Sequence, residues 1–290
     1  MDYALIIQIA LGGILLGGIY GLLSLGMSLN LGLLGVMNLA HGSFLILGAL
    51  TGYGLSAAFG LSPLWSILLV PVLFGGLGRG LGSLWRPSWY KREPAEAFVA
   101  FLLITLGLAF VLEEASASIL VHPLIGLSAG FLSWHWKGLV FSPLALILCS
   151  VLFAVFLFLI FFLFRTDLGR SLRAVPQDPE GALFIGIPMQ STRAWAGSLS
   201  LAAAGLAGVF WILLFPVTPF MGLKITIMSI LMVMVVGPGH ILRSIVAGFS
   251  WGILESLGIA LWEAQWGILL PVMTYLSLVF IFPEGLKRSQ

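Results

Sequence analysis

The stretch RTDLGRSLRAVPQDPEGALFIGIPMQSTR, residues 165–193, divides the chain into a longer apolar part before it and a shorter one after it. It carries Arg165, Asp167, Arg170, Arg173, Asp178, Glu180 and Arg193, in a sequence where charged residues are only 8% of the total. A charged side chain at mid-bilayer costs about 3 kcal/mol on insertion scales. So dense a cluster therefore marks a place where the chain leaves hydrocarbon. Small residues also recur through it at close spacing: Gly169, Ser171, Ala174, Gly181, Ala182 and Gly186. A merely solvated loop does not require that spacing, which predicts a surface that touches something outside the membrane.

The rest of the chain fits a lipid solvent. Of its 290 residues 60% are hydrophobic, against about 45–50% in soluble domains, and the mean hydropathy is +1.13. The net charge of +2 gives no ground for a nucleic-acid partner. Cys149 is the single cysteine, which excludes an internal disulfide or a cysteine-based metal site. The opening MDYALIIQIALGG has an acid and no Lys or Arg before its apolar run, unlike a cleavable signal peptide. The first helix is expected to be retained.

Hydropathy predicts an all-α, polytopic helix bundle of about 8–10 spans, since about 20 apolar residues cross a ~30 Å hydrocarbon core. The expected helices lie near 5–29, 36–59, 63–84, 95–120, 141–164, 194–215, 221–237, 244–262 and 266–282, within one membrane domain covering 1–290. The short gap from Asn30 to Val36, and the break at Pro216 and Pro219, are each able to hold a half-helix or re-entrant segment instead.

Basic residues orient the bundle. Arg79, Arg86, Lys91, Arg92, Arg165, Arg170, Arg173, Arg193, Arg243, Lys287 and Arg288 all fall on one side if nine spans begin with the N-terminus outside. That side is then cytoplasmic, and so is the C-terminus. Lys137 lies in an outer loop and Lys224 near an outer helix end. The connection 121–140, with Trp134 and Trp136, is expected at the outer headgroup level. Gly12, Gly13, Gly17, Gly18 and Gly21, and Gly197, Gly205 and Gly208, read as packing surfaces that let helices approach closely.

Five stretches, in order along the chain, carry a resemblance. They are LLGVMNLAHGSFLILGAL (33–50), TLGLAFVLE (105–113), LGRSLRAVPQDPEGALFIGI (168–187), LESL (254–257) and FPEGL (282–286). Together they resemble the branched-chain amino acid permease family of ABC importers, of LivH and LivM type. The family's usual Gly-rich run before its late helix reads here VGPGHILRSIVAG (236–248).

The resemblance implies a bacterial or archaeal inner-membrane subunit. It would pair with a second permease (a LivM-like homologue or a second copy), two ABC ATPases and an extracytoplasmic solute-binding protein. ATP and Mg would sit on the ATPases, with no cofactor on this chain. It also implies that 165–193 is the segment that couples to the ATPase, with Gly169, Arg170, Arg173, Asp178, Gly181, Ala182 and Gly186 as candidates. After Pro179 the run EGALFIGI is expected as a short helix whose small residues, Gly181, Ala182 and Gly186, form a smooth exposed patch.

Candidate substrate-path residues follow from the cost of polar groups at membrane depth. Asn38 and His41 lie one helical turn apart and are expected to share a face, with Ser43 close by. They either hydrogen-bond neighbouring helices or face the solute. Glu113 and Glu114 sit about 100° apart on a helix, so one of them faces inward, and Glu113 is favoured. Thr105 belongs to the same helix by resemblance. Glu255 is mid-span and has no partner within its own helix. No HExxH motif occurs, and none of the four lysines follows a glycine, so the chain has no P-loop and is not expected to be an enzyme. The reading from another class is an ion-gradient-driven secondary transporter of small polar solutes, with Glu113, Glu255 or His41 carrying the proton.

Overall fold

The computed structural model describes residues 3–84, 94–119, 126–127, 134–136, 139–262 and 264–282. Arg86, Lys91, Arg92, Lys137, Lys287, Arg288 and most of the FPEGL stretch lie outside them. Within lipid every backbone N–H and C=O needs an internal partner, and a helix supplies it locally. The apolar runs accordingly form α1 (Tyr3–Leu29), α2 (His41–Phe59), α3 (Ser66–Leu84), α4 (Pro94–Ile119), α5 (Pro143–Arg165), α8 (Met189–Leu214), α9 (Gly222–Val236), α10 (Ile241–Leu261) and α11 (Leu269–Ile281). Two short helices, α6 (Asp167–Ala174) and α7 (Pro179–Phe184), occupy the polar interruption. Strands β1 (Trp134–Trp136) and β2 (Leu139–Phe141) pair as a small antiparallel hairpin in the 121–140 connection, beside an otherwise helical bundle.

Among the described residues eight helical stretches are long and apolar enough to cross a membrane, α9 being counted together with the turn that precedes it from Pro219. The chain is thus a multi-pass membrane protein. α11, at 13 residues, is ~20 Å long at 1.5 Å per residue, too short for a full crossing by itself. The nine expected helices all have counterparts, with two notable shifts. α8 begins at Met189 rather than 194, because Pro188 starts the helix and Arg193 is carried within it. α2 begins at His41 rather than 36, a difference that creates the site described below.

α1 is the centre of the packing, held between α8 and α10. The α1–α10 seam is made by glycine. A Cβ on Gly252 would lie 2.1 Å from the Gly17 amide nitrogen, and one on Gly248 would lie 2.2 Å from that of Gly21. Similar close approaches join α8 to its other neighbours, Gly197 to Gly78 of α3 and Gly205 to Gly48 of α2. Close backbone approach supplies the van der Waals contact that drives helix association in lipid, where burial of apolar surface adds little. α1 and α8 run antiparallel. Tyr20 meets Trp211 edge-on with ring centroids 6.1 Å apart, Ser200 donates to the Gly26 carbonyl at 2.9 Å, and Arg193 donates to that of Leu33 at 3.3 Å.

Candidate functional site

Helix α1 does not run into α2. It ends in a π-type turn, Asn30–Leu34, after which Gly35 takes φ +65° and reverses the chain. Glycine reaches that conformation without the Cβ clash other residues meet. Residues 35–38 are then irregular, and 39–40 form a turn into α2. This unwound segment runs back into the bundle. The His41 ring lies beside α1 well before its end, with Nε2 donating to the Leu23 carbonyl at 3.1 Å. A Cβ on Gly26 would come within 2.7 Å of the same ring.

Non-helical backbone at membrane depth survives only where other groups satisfy it, and here two threonines do so. Thr105 of α4 accepts the Leu39 amide at 3.1 Å and directs its own hydrogen to carbonyls that include Phe101 at 2.9 Å and Met37 at 3.3 Å. Thr226 of α9 accepts the Gly42 amide at 2.8 Å. Its hydroxyl hydrogen is shared between the Leu39 carbonyl at 3.1 Å and the Gly222 carbonyl at 3.0 Å. Asn38 closes the turn, with its Oδ1 accepting the Ala40 amide at 3.0 Å and its backbone carbonyl accepting the His41 amide at 3.3 Å. Asn38 thus precedes the helix, and the expected shared helical face with His41 is not formed, since a helix cannot include the reversal at Gly35.

The N-termini of α2 and α9 meet at this point. A Cβ on Gly42 would fall 2.0 Å from the Gly222 carbonyl, and one on Gly222 would fall 2.9 Å from the Ser43 amide. Two sets of free amides and two positive dipole ends therefore converge. Glu113 of α4 answers them. It is buried, and its Oε1 accepts the Leu223 amide at 3.0 Å. Glu114 is exposed, as the 100° offset requires. Ser43 Oγ, Asn30 Nδ2 and His41 Nδ1 are buried with no hydrogen-bond partner among the described residues. Beside the segment lies a cavity of about 230 Å³, whose polar lining is Asn30, Asn38 and Thr105 and whose apolar walls include Val36, Phe44 and Phe101. Asn38, His41, Ser43, Thr105 and Glu113 are thus brought together. Glu255 is not, for it lies on α10 among Tyr20, Trp251 and, at longer range, Lys224, with Oε2 unpartnered.

In the polar interruption, Thr166 caps α6 by accepting the Gly169 amide at 3.0 Å. Asp178 caps α7 by accepting that of Gly181 at 2.9 Å. Gly169 lets α6 fold tightly onto α5, for a Cβ there would lie 2.3 Å from the Phe162 carbonyl. Arg170 pairs with Asp167 at 2.7 Å. Arg173 turns back to the Leu163 carbonyl at 3.1 Å and stacks over Phe164. The expected exposed patch of small residues does not include Ala182. Ala182 is only 3% exposed, whereas Leu183, Phe184 and Ile185 are 58%, 89% and 77% exposed. Of the expected patch Gly186 is exposed and Gly181 half-buried, while Ala182 packs inward and the large apolar residues that follow it face outward.

The sequence profile described as branched-chain amino acid transport system / permease component matches residues 9–282. The chain belongs to that permease family. Among curated relatives of this permease, a probable branched-chain amino acid transport permease protein LivH from Methanocaldococcus jannaschii is 28% identical over 254 residues, covering 85% of this chain and 79% of the relative. The high-affinity branched-chain amino acid permease protein LivH of Escherichia coli K12 is 23% identical over 296 residues, 97% of this chain and 94% of the relative. Its counterpart BraD of Pseudomonas aeruginosa is 22% identical, with 97% and 95% coverage. No solved structure matches the permease.

Thr226, Asn30 and the Leu183–Ile185 knob are absent from the residues expected from sequence. A lone Thr in GLKITIMS carries no signal by itself. The knob was visible as ALFI, an apolar run within the polar segment.

Proposed function

We propose that this permease is the membrane subunit of an ABC importer for branched-chain or related amino acids. It takes substrate from an extracytoplasmic binding protein and is driven by ATP hydrolysed on two partner subunits. The observation that carries the reading is the apolar knob Leu183, Phe184 and Ile185, held out by capped short helices on an otherwise polar segment. An exposed aromatic flanked by aliphatics is costly in water and is the kind of anchor that fills a partner's pocket. The positive-inside bias supports a cytoplasmic position for this end, the side on which ATP-hydrolysing partners would dock. A second permease, homologous or identical, completes the membrane pair.

In this reading the break at residues 35–40 is part of the substrate path. Unwound backbone and converging helix N-termini are how helical transporters bind small charged solutes at membrane depth. Asn38, Ser43 and Glu113 present polar groups there, Thr105 and Thr226 hold the backbone open, and His41 fixes α2 against α1. The test is reconstitution with co-purified partners in liposomes. ATP-dependent uptake of leucine, with uptake kept by Glu255→Gln, supports the importer. Uptake by this chain alone under an ion gradient, abolished by Glu255→Gln, would replace it with a secondary transporter.

A further inference from the structure

The inner ends of α5, α6, α9 and α10 enclose a polar cleft of about 670 Å³ that the transport reading does not use. Arg173, Gln177, His240 and Arg243 supply its polar groups, and Phe164 and Pro176 are among its apolar ones. Arg173 is half-buried and fixed by the Leu163 carbonyl and the Phe164 ring. Arg243, in the first turn of α10, is exposed. No carboxylate among the described residues lines the cleft, so two guanidinium groups face one space without a counter-charge.

A second space begins where the first ends. An apolar groove of about 530 Å³ runs between α9, α10 and α11, lined by residues such as Val235, Val246, Leu254 and Leu278. Leu242 and Arg243 line both spaces. The groove lies along membrane-crossing helices and the cleft at their inner ends. A molecule that fills both has an anionic head and a hydrocarbon tail.

We propose that this composite site holds an anionic phospholipid of the inner leaflet, its phosphate between Arg173 and Arg243 and one acyl chain along α10. Arginine guanidinium matches phosphate oxygens with paired donors, and basic pockets between helices at the cytoplasmic surface select such headgroups. The lipid bridges the α5–α6 elbow, which leads into the knob helix, to the 237–240 turn, which leads out of α9. The proposal rests on the importer reading only for which leaflet supplies the lipid.

The test is native mass spectrometry of the complex released from detergent, titrated with dioleoyl phosphatidylglycerol, dioleoyl phosphatidylcholine or the chainless sn-glycerol 3-phosphate. Wild type is expected to retain phosphatidylglycerol over phosphatidylcholine. Arg243→Gln should lower that retention about fivefold without changing phosphatidylcholine adducts, and Arg243→Lys should restore part of it. Val246→Trp, which fills the groove at an exposed position, should lower lipid retention while the protein elutes as wild type. Unchanged retention in Arg243→Gln overturns the proposal. So does displacement of the lipid by glycerol phosphate at equal concentration, which would make the cleft a simple anion site. Neither readout needs ATP or substrate, so a failed uptake assay and a failed lipid assay are distinguishable.

Discussion

The Thr226 hydroxyl accepts the amide of Gly42 at 2.8 Å, joining α9 to the first turn of α2 across 184 residues of sequence. The same oxygen reaches the Leu39 carbonyl at 3.1 Å. One side chain therefore holds both the last unwound residues and the first helical ones. Thr226 is fully buried, so the unwound segment depends on this protein group for its partners.

Replacing that hydroxyl by a methyl group of similar shape should therefore be costly. Thr226→Val strands the Gly42 amide, which costs about 1–3 kcal/mol when buried, and it leaves the Leu39 carbonyl without this donor. Thr226→Ser retains the oxygen and should stay close to wild type. Thermal unfolding of the two variants in one detergent is the measurement. Equal midpoints would mean that the unwound segment does not depend on α9.

Glu113 combines a cap with a charge. Its carboxylate accepts the Leu223 amide at the start of α9, and caps of this kind contribute about 0.5–2 kcal/mol. Glu113→Gln keeps an acceptor oxygen of the same reach, so stability should change little, whereas Glu113→Leu should fall by the full cap. If the break is the substrate path, Glu113 would meet a solute's ammonium group, and uptake should then drop in both variants. Wild-type uptake by Glu113→Gln would confine the residue to capping.

The α1–α10 seam sets a sharper steric test. A side chain at Gly252 has no room before the backbone of Gly17, so Gly252→Leu should force the helices apart and abolish a folded, monodisperse product. Gly107 is also helical, but nothing lies within 4 Å of a Cβ placed there. Gly107→Ala should be neutral or slightly stabilising, since alanine is favoured over glycine in helices by about 1 kcal/mol. Size-exclusion profiles after identical extraction separate the two cases.

These residues also mark what sequence reading reaches. Spans were legible because a run of about 20 apolar residues has few alternatives in a membrane protein, and the glycine spacing of α1 and α8 marked them as packing surfaces without giving their partners on α2, α3 and α10. The exact start of α2 was not. LLGVMNLA remains apolar through the break, so hydropathy continues the helix to residue 36, and Gly35 and Asn38 are only weak signs of a reversal. The partners that hold the break come from α4 and α9, far along the chain, and Thr226 looks like any small residue in an apolar helix until those contacts exist. In the polar interruption the small residues drew attention by their spacing. Packing turns Ala182 inward, and Gly169 serves the α5–α6 elbow, which leaves the exposed role to Leu183, Phe184 and Ile185.

Phe184 gives the most direct test of what that exposed role is. With 89% of its surface open and α7 capped by Asp178, its side chain contributes little to the fold of this chain. Phe184→Asp should therefore leave expression, elution and thermal midpoint unchanged. If the knob seats in a pocket of the ATPase, removing an aromatic anchor of this kind costs 2 kcal/mol or more, about thirtyfold in affinity. A charge set against an apolar pocket adds to the loss. Pull-down of the ATP-hydrolysing subunits and substrate-stimulated hydrolysis in liposomes should both collapse. Gln190→Ala, an exposed change a short way along the same segment, should leave both intact. Full retention of the ATPases by Phe184→Asp would mean that coupling runs through some other surface, and the knob would then need a different partner.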